Sequence, residues 1–426
     1  MEFKNTEEFA RSLDEQDPLK GYRDSFHFPR VNGRPVVYFT GNSLGLQPKR
    51  AQAFVDEIMR DWKELAVEGH FYAGKPWWDY HERLIPALSK IVGAREGEVT
   101  VMNTLTVNLH LLMVSFYRPR GRRFKILCEE KAFPSDQYML QSQLRFHGYA
   151  PEESLIEVEK RPGEHHWRTS DILEAIDRHS DELALVLMGG VNYYNGQVLE
   201  MEAITRAGRA AGAMVGWDLA HAAGNVALNL HDWDVDFASW CSYKYMNSGP
   251  GNASGVFIHE KHLSDPNIPR FEGWWGTKKE TRFQMQPSFD PIETADAWQL
   301  SNAPVLALAP YLASLELFEE VGMEALIEKR DRIVAYLEFI LREVDREVES
   351  TFEIITPSAA RGCQLSVFLH GEGKPLFDYL MKNGVITDWR EPNVIRLAPA
   401  PFYCSYSDMF RFGQILKQGI LEKTSG

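Results

Sequence analysis

Cysteine is scarce: the 426-residue chain has four, Cys128, Cys241, Cys363 and Cys404, set far apart. No C-x-x-C pair and no Cys/His group at zinc spacing occurs, which argues against a disulfide framework or a structural metal and fits a reducing, cytoplasmic compartment. Basic charge is also short, with 46 Lys and Arg against 60 Asp and Glu and a formal charge of −14. Such a chain repels phosphodiester backbones and anionic membrane surfaces, so neither is an expected partner. Long apolar runs are missing: residues 183–188 and 305–309 fall far below the roughly 20 residues that cross a bilayer. The N-terminus, MEFKNTEEFARSLDEQD, has no cationic start with an apolar follow-on, so no secretory signal is expected. Repeats and low-complexity tracts are absent too. What is present, 44% hydrophobic and 12% aromatic residues, is ordinary for a globular protein long enough to divide into two or three domains.

Val36-Val37-Tyr38-Phe39 reads as a short strand running into the turn-rich Thr40-Gly41-Asn42-Ser43-Leu44-Gly45. A helix should follow from Pro48, with Phe54, Ile58, Trp62 and Leu65 as its apolar stripe. From about residue 95 to 260, short apolar runs alternate with helical patterns, the signature of a largely parallel sheet covered by helices. The clearest unit pairs a strand at 183–188, a helix at 201–211 and a strand at 213–217 that ends at Asp218, where open α/β sheets bind ligands. After Pro304 the pattern turns to long helices and then to short strands near 352–355, 364–369 and 394–397. The expected organisation is a large α/β domain at 50–305 and a small α+β domain made of 1–49 and 306–426.

Chemistry concentrates in a few segments. Trp240-Cys241-Ser242-Tyr243-Lys244-Tyr245 sets a lysine in aromatic, nearly uncharged surroundings, 26 residues after Asp218. An ordinary lysine is solvated. A desolvated one loses proton affinity and becomes a nucleophile toward carbonyls, as a Schiff base requires. In Val215-Gly216-Trp217-Asp218-Leu219-Ala220-His221 a carboxylate ends an apolar strand and a histidine follows three residues later. Alone, that pattern is a helix-capping aspartate beside a packed histidine. With Lys244 it suits pyridoxal phosphate: Asp218 keeps the pyridine nitrogen protonated, Lys244 carries the aldehyde, and His221 sits near the phenolic oxygen. Residues 101–108 turn from strand to helix, whose free amides and Thr106 hydroxyl could hold a phosphate. Ala132-Phe133-Pro134-Ser135-Asp136 offers an aromatic plane and two polar groups. The stretches Glu164-His165-His166 and His231-Asp232-Trp233-Asp234 contain possible ligands, but no metal site is expected from them.

Together these segments resemble the kynureninase family, pyridoxal-phosphate enzymes of fold type I, similar to class V aminotransferases. The resemblance is carried by Gly41-Asn42-Ser43-Leu44-Gly45-Leu46-Gln47-Pro48, Leu105-Thr106-Val107-Asn108-Leu109-His110, Phe133-Pro134-Ser135-Asp136, Asp218-Leu219-Ala220-His221, Cys241-Ser242-Tyr243-Lys244-Tyr245, Gly273-Trp274-Trp275-Gly276, Ser301-Asn302 and Ile395-Arg396-Leu397-Ala398-Pro399. It implies the aspartate aminotransferase fold, a large domain with a mostly parallel sheet plus a smaller α+β domain. It makes Lys244 the Schiff-base lysine, Asp218 the pyridinium partner and Phe133 the stacking ring. Leu105, Thr106, Ser135, Asp136, His221 and Tyr243 become further cofactor contacts, with Tyr243 also a proton donor. Trp274 and Asn302 match positions that the family supplies from a neighbouring subunit, which implies a homodimer with sites at its interface. Arg396 matches the clamp on the substrate α-carboxylate, and Ser43, His70, Trp275 and Asn302 match substrate contacts. One departure is Met188-Gly189-Gly190-Val191, where the family usually has a hydroxyl residue at the position of Gly189.

The implied reaction is hydrolysis of the β,γ-bond of an amino acid with a γ-carbonyl, giving alanine and an aromatic acid in tryptophan catabolism or NAD biosynthesis. His70 and Ser301-Asn302 resemble forms that prefer 3-hydroxykynurenine over kynurenine, because polar groups facing a hydroxyl are left unpaired when it is missing. Two alternatives stand beside this. A cysteine desulfurase or selenocysteine lyase would share the aspartate and lysine and need a mobile cysteine, for which Cys363 is the candidate. A cofactor-free binding protein would use the same residues structurally.

Overall fold

Apolar runs rich in Val, Ile and Leu fold as strands covered on both faces, and the amphipathic stretches between them fold as helices. In the computed structural model, which describes residues 2–348 and 352–424, the strands that matter here are β1 (Val37–Tyr38), β2 (Val99–Met102), β3 (Lys125–Glu129), β4 (Leu155–Val158), β5 (Leu183–Gly189), β6 (Met214–Asp218), β7 (Phe237–Trp240), β8 (Ser254–Ile258), β9 (Phe352–Ile354), β10 (Leu365–Leu369), β11 (Val385–Ile386), β12 (Asp388–Arg390) and β13 (Val394–Leu397). The helices are α1 (Glu7–Gln16), α2 (Ala51–Leu65), α3 (Leu105–Phe116), α4 (Pro134–Phe146), α5 (Met201–Ala210), α6 (Val305–Val321), α7 (Met323–Glu347) and α8 (Tyr406–Thr424). Residues 1, 349–351 and 425–426 of the expected small domain lie outside the described residues.

Seven strands make the central sheet in the order β2-β8-β7-β6-β5-β3-β4. Neighbours from β7 to β4 run parallel, and β8 is antiparallel to both β7 and β2, so the sheet is mostly parallel. The carboxyl ends of β3, β5 and β6 therefore bring Glu129, Gly189 and Asp218 to one edge, and the chain leaving β7 reaches Lys244 four residues later. A second, antiparallel sheet has the order β9-β10-β13-β12. The N-terminal segment joins this part of the chain: β1 pairs in parallel with β11, and α1 packs on α8. α6 packs on α2, and its Ser314 hydroxyl donates to the Met246 carbonyl at 2.6 Å, two residues from Lys244.

Two local expectations change. The helix begins at Ala51 rather than at Pro48, because His27 and Lys49 amides donate to the Gln47 and Ser25 carbonyls and hold this stretch extended. Of the stripe on α2, Ile58 is buried but Trp62 is 57% exposed. It belongs to an uncovered apolar belt with Met59, Val67, Phe71, Tyr72, Trp274, Phe283 and Leu306.

Candidate active site

The strand ends, the α3 N-terminus and the second sheet enclose a cavity of about 440 Å³. Lys244 lines it with Asp218, His221, Tyr243, Leu105, Thr106, Phe133, Ser135, Asp136, Ser43 and Arg396. The lysine loop is fixed by the turn at 41–45, where the Gly45 amide donates to the Tyr243 carbonyl at 2.8 Å. Glycine is required there: a Cβ at residue 45 would lie 2.5 Å from the Lys244 carbonyl oxygen and 2.2 Å from Asn247 Oδ1. Lys244 Nζ itself has no hydrogen-bond or ion-pair partner among the described residues.

Burial and the nearby Asp218 and Glu129 push the Asp136 carboxyl well above the ordinary carboxylate range. Burial raises Asp218 as well, against hydrogen bonds from Asp136 and from the Ala220 amide at 2.7 Å. Asp136 therefore holds a proton toward Asp218, and Lys244 lies close enough to favour the charge on both. Burial lowers His221 far below its usual range, helped by the positive Lys244, Arg396 and Arg390, so its ring is neutral and its Nδ1 has no partner. Burial also raises the Tyr243 phenol, whose oxygen receives the Cys241 thiol at 3.3 Å.

At the other wall, Thr104 makes no side-chain cap on α3, so the first amides of a 12-residue helix face the cavity unpaired. Phe133 precedes α4 and presents its ring to the cavity, edge to face with Tyr193 at 5.2 Å. Arg396, on β13, is 1% exposed. Its Nη1 donates to the Tyr193 carbonyl at 2.6 Å, its Nη2 pairs with Asp388, and its Nε has no partner. Burial lowers its proton affinity against the pull of Asp388, and a buried guanidinium lining the cavity is a group suited to a carboxylate.

These features fit pyridoxal phosphate: an unpaired lysine for the aldehyde, a helix N-terminus for the phosphate, a buried aspartate for the ring nitrogen, an open aromatic face, and orphaned polar atoms on Asp136 and His221. Four expected residues lie elsewhere. His70, Trp275 and Asn302 line a separate cavity of about 470 Å³ with Trp62 and Trp77, and Trp274 is 47% exposed beside it. His70 is not a free loop histidine: it sits in the short helix Gly69–Tyr72, its Nδ1 3.0 Å from the Val67 carbonyl.

Sequence reasoning passed over Asn42, Glu129, Tyr193 and Arg390, all of which line the Lys244 cavity. Glu129 was the findable one, since it ends the apolar run Ile126-Leu127-Cys128 as Asp218 ends its own strand. Cys363 does not line the cavity; it is fully buried, its thiol pushed up to about 12 by burial. His231 meets Glu98 at 2.8 Å, and His259 stacks on it at 4.9 Å between ring centroids.

A model of the class V aminotransferases matches residues 154–353, and one of the kynureninase C-terminal domain matches residues 330–416. The kynureninase of Flavobacterium johnsoniae is 71% identical over 99% of this chain and 100% of its own length. That of Christiangramia forsetii is 69% identical with the same coverage, and that of Myxococcus xanthus is 53% identical over 97% of each chain. Among solved structures, a cystine C–S lyase in complex with cysteine persulfide superimposes with a TM-score of 0.76 at 16% identity, covering 90% of this chain and 97% of its own. The cysteine desulfurase of Thermococcus onnurineus gives 0.75 at 16% identity, covering 97% and 98%. At such identity these two carry the fold alone, whereas full-length identities above one half carry the family. This chain belongs to the kynureninase family of pyridoxal-phosphate enzymes.

Proposed function

We propose that this chain hydrolyses 3-hydroxykynurenine, and kynurenine less well, to 3-hydroxyanthranilate or anthranilate and L-alanine, as part of tryptophan catabolism and NAD biosynthesis. The observation that carries this is the cavity uniting Lys244, Asp218, His221, the α3 N-terminus and Arg396. Bound pyridoxal phosphate supplies an electron sink that acidifies the α-proton and stabilises the carbon left when the β,γ-bond breaks. The α3 amides at Leu105 and Thr106 would hold its phosphate, and Ser135 on α4 lines the same cavity. Asp218 would keep the ring nitrogen protonated, with Asp136, His221 and the Phe133 ring lining the same cavity.

The Arg396 guanidinium would bind the α-carboxylate and so fix the amino acid with its α-proton toward Lys244, which lines the same cavity. Lys244 Nζ is the base that would take that proton, and the Tyr243 hydroxyl the acid that would serve the later transfers. Ser43 lies at the cavity mouth. A homodimer in which His70, Trp274, Trp275 and Asn302 act on a second copy is supported by their place: Trp274 is exposed, and the other three line a cavity away from their own Lys244. The proposed domain organisation is a 50–305 unit and a unit of 1–49 with 306–426. Four buried free cysteines support a cytoplasmic location, and no described helix is long and apolar enough to cross a membrane. Cys363, sealed behind Tyr245 and Ala398, cannot serve as the mobile nucleophile of a desulfurase.

The test is absorbance between 300 and 500 nm with alanine assayed in the same tube. An absorbance band from lysine-bound cofactor, lost when Lys244 is changed to Ala, with alanine released on adding 3-hydroxykynurenine, is the expected result. Equal kcat/KM for both substrates sinks the preference, and His70→Trp with Asn302→Thr should reverse it.

A further inference from the structure

Glu129 ends β3 at the carboxyl edge of the sheet, one strand beyond Gly189 and two beyond Asp218. Its side chain lines the Lys244 cavity and is 4% exposed. No lysine or arginine makes an ion pair with it among the described residues; Lys160, whose charge acts on it, is paired with Glu130. Both carboxyl oxygens face the Gly189 amide, at 3.2 and 3.3 Å. Residue 189 and the carboxyl share one space: a Cβ there would stand 3.0 Å from Oε1 of Glu129. A side chain at 189 would crowd the carboxyl and push its Oε1 by a few tenths of an ångström.

We propose that Glu129 is a positioning residue of the cofactor cavity, acting through Gly189 to set the charge and hydrogen bonding beside Asp218. The inference rests on the placement of pyridoxal phosphate proposed above. A carboxyl in this place has two states with opposite effects. Protonated, it removes a negative charge from a cavity that must accept an anionic phosphate and has a hydrogen to donate. Ionised, it adds a second negative charge beside Asp218, with Asp136 protonated, and opposes the same ligand. The groups facing it are Asp218 on β6, Asp136 on α4, Lys160 beyond β4, Tyr193 after β5 and Cys128 on its own strand. Burial, with Asp218 as the repelling neighbour, raises Glu129 to about 7, against the lowering effect of the Gly189 amide. The switch between states therefore falls in the physiological range.

The sign follows. Below neutrality Glu129 is neutral and the cofactor is held; above it the carboxylate forms and the hold weakens. A displacement of about one pKa unit on cofactor binding corresponds to about tenfold in affinity. The experiment dilutes the holoenzyme and measures retained pyridoxal phosphate, by its absorbance band and by tryptophan fluorescence, from pH 6 to 8.5. Unsubstituted protein should lose about tenfold in affinity across that range. Glu129→Gln, neutral at every pH, should lose less than threefold. Gly189→Ala probes the pair from its other side: the new methyl must move Oε1, which shifts the midpoint of the profile by half a unit or more. Profiles of both variants that superimpose on that of the unsubstituted protein overturn the proposal. Absence of the cofactor band at every pH in the unsubstituted protein overturns the cofactor placement itself, and the proposal with it.

Discussion

At the scale of single residues, Arg396 tests how the cavity holds its substrate. It is the third largest side chain in the fully buried interior, and its guanidinium already satisfies Tyr193 and Asp388 before any ligand arrives. A lysine at this position keeps the charge but cannot hold Asp388, the Tyr193 carbonyl and a carboxylate in one plane. Arg396→Lys should raise KM about 30- to 100-fold, the equivalent of about 2–3 kcal/mol, and leave kcat within about fivefold. Steady-state kinetics read this, and a fall in kcat with KM unchanged would contradict the carboxylate role. Residues of this kind divide sharply in legibility. Lys244, Asp218 and His221 could be picked out because chain-local patterns mark them: a lysine among aromatics, an acid ending an apolar strand. Asp388 could not, because its pairing with Arg396 arises from the antiparallel register of β12 on β13, which places the two directly opposite. Tyr193 contributes through its backbone carbonyl, which no side-chain pattern reports.

Glu338 on α7 accepts from Arg342 one turn on, from Arg361 and from Ser358, and so ties α7 to the loop that leads into β10. That loop bridges back to Gln197 through Arg361, and its Gln364 donates to the Tyr193 carbonyl at 3.1 Å, beside the cavity. Burial alone would raise Glu338, but the hydrogen bonds from Arg342, Arg361 and Ser358 outweigh it and hold the carboxyl at about 2. An acid depressed in the folded state contributes stability that is complete above its unfolded value, near 4.5, and lost as pH falls through 2. Glu338→Gln should therefore cost about 1–2 kcal/mol in denaturant unfolding at pH 7, with the difference shrinking between pH 4.5 and 2. A constant difference across that range would show that packing, not charge, makes the contribution. The elements themselves were largely legible, as β5, α5 and β6 fall within a residue or two of their apolar runs. The start of α2 was not, because the backbone bonds of residues 47 and 49 to the segment 25–27 join stretches that share no local signal.

For the whole molecule, the question is why apolar surface remains uncovered. Scattered exposed hydrophobics are normal, but a contiguous belt marks a surface that expects a partner. Trp62, Phe71, Tyr72, Trp274, Phe283 and Leu306 are all exposed, Phe283 meets Phe71 and Trp274, and Trp62 and Leu306 line the neighbouring cavity. His70, Trp275 and Asn302 line that cavity too, and Lys244 does not. A helical stripe is written in the sequence whether it meets its own core or another copy, so α2 looked like an ordinary packed helix. Two copies related by a twofold axis would cover each other's belts and carry each Asn302 toward the opposite Lys244. Subunit mixing decides this. Lys244→Ala lacks the lysine and Asn302→Ala lacks the amide, and each homodimer has two damaged sites. A mixed dimer has one site with both residues intact and one with neither. Random reassortment of equal amounts should therefore restore about one quarter of the unsubstituted rate on 3-hydroxykynurenine, above the sum of the separate variants. Sites built within single chains would give no gain on mixing, because every site would still carry one of the two substitutions. The restored activity should also fall when the mixture is diluted below the dimer dissociation constant, since separated chains lose the shared site.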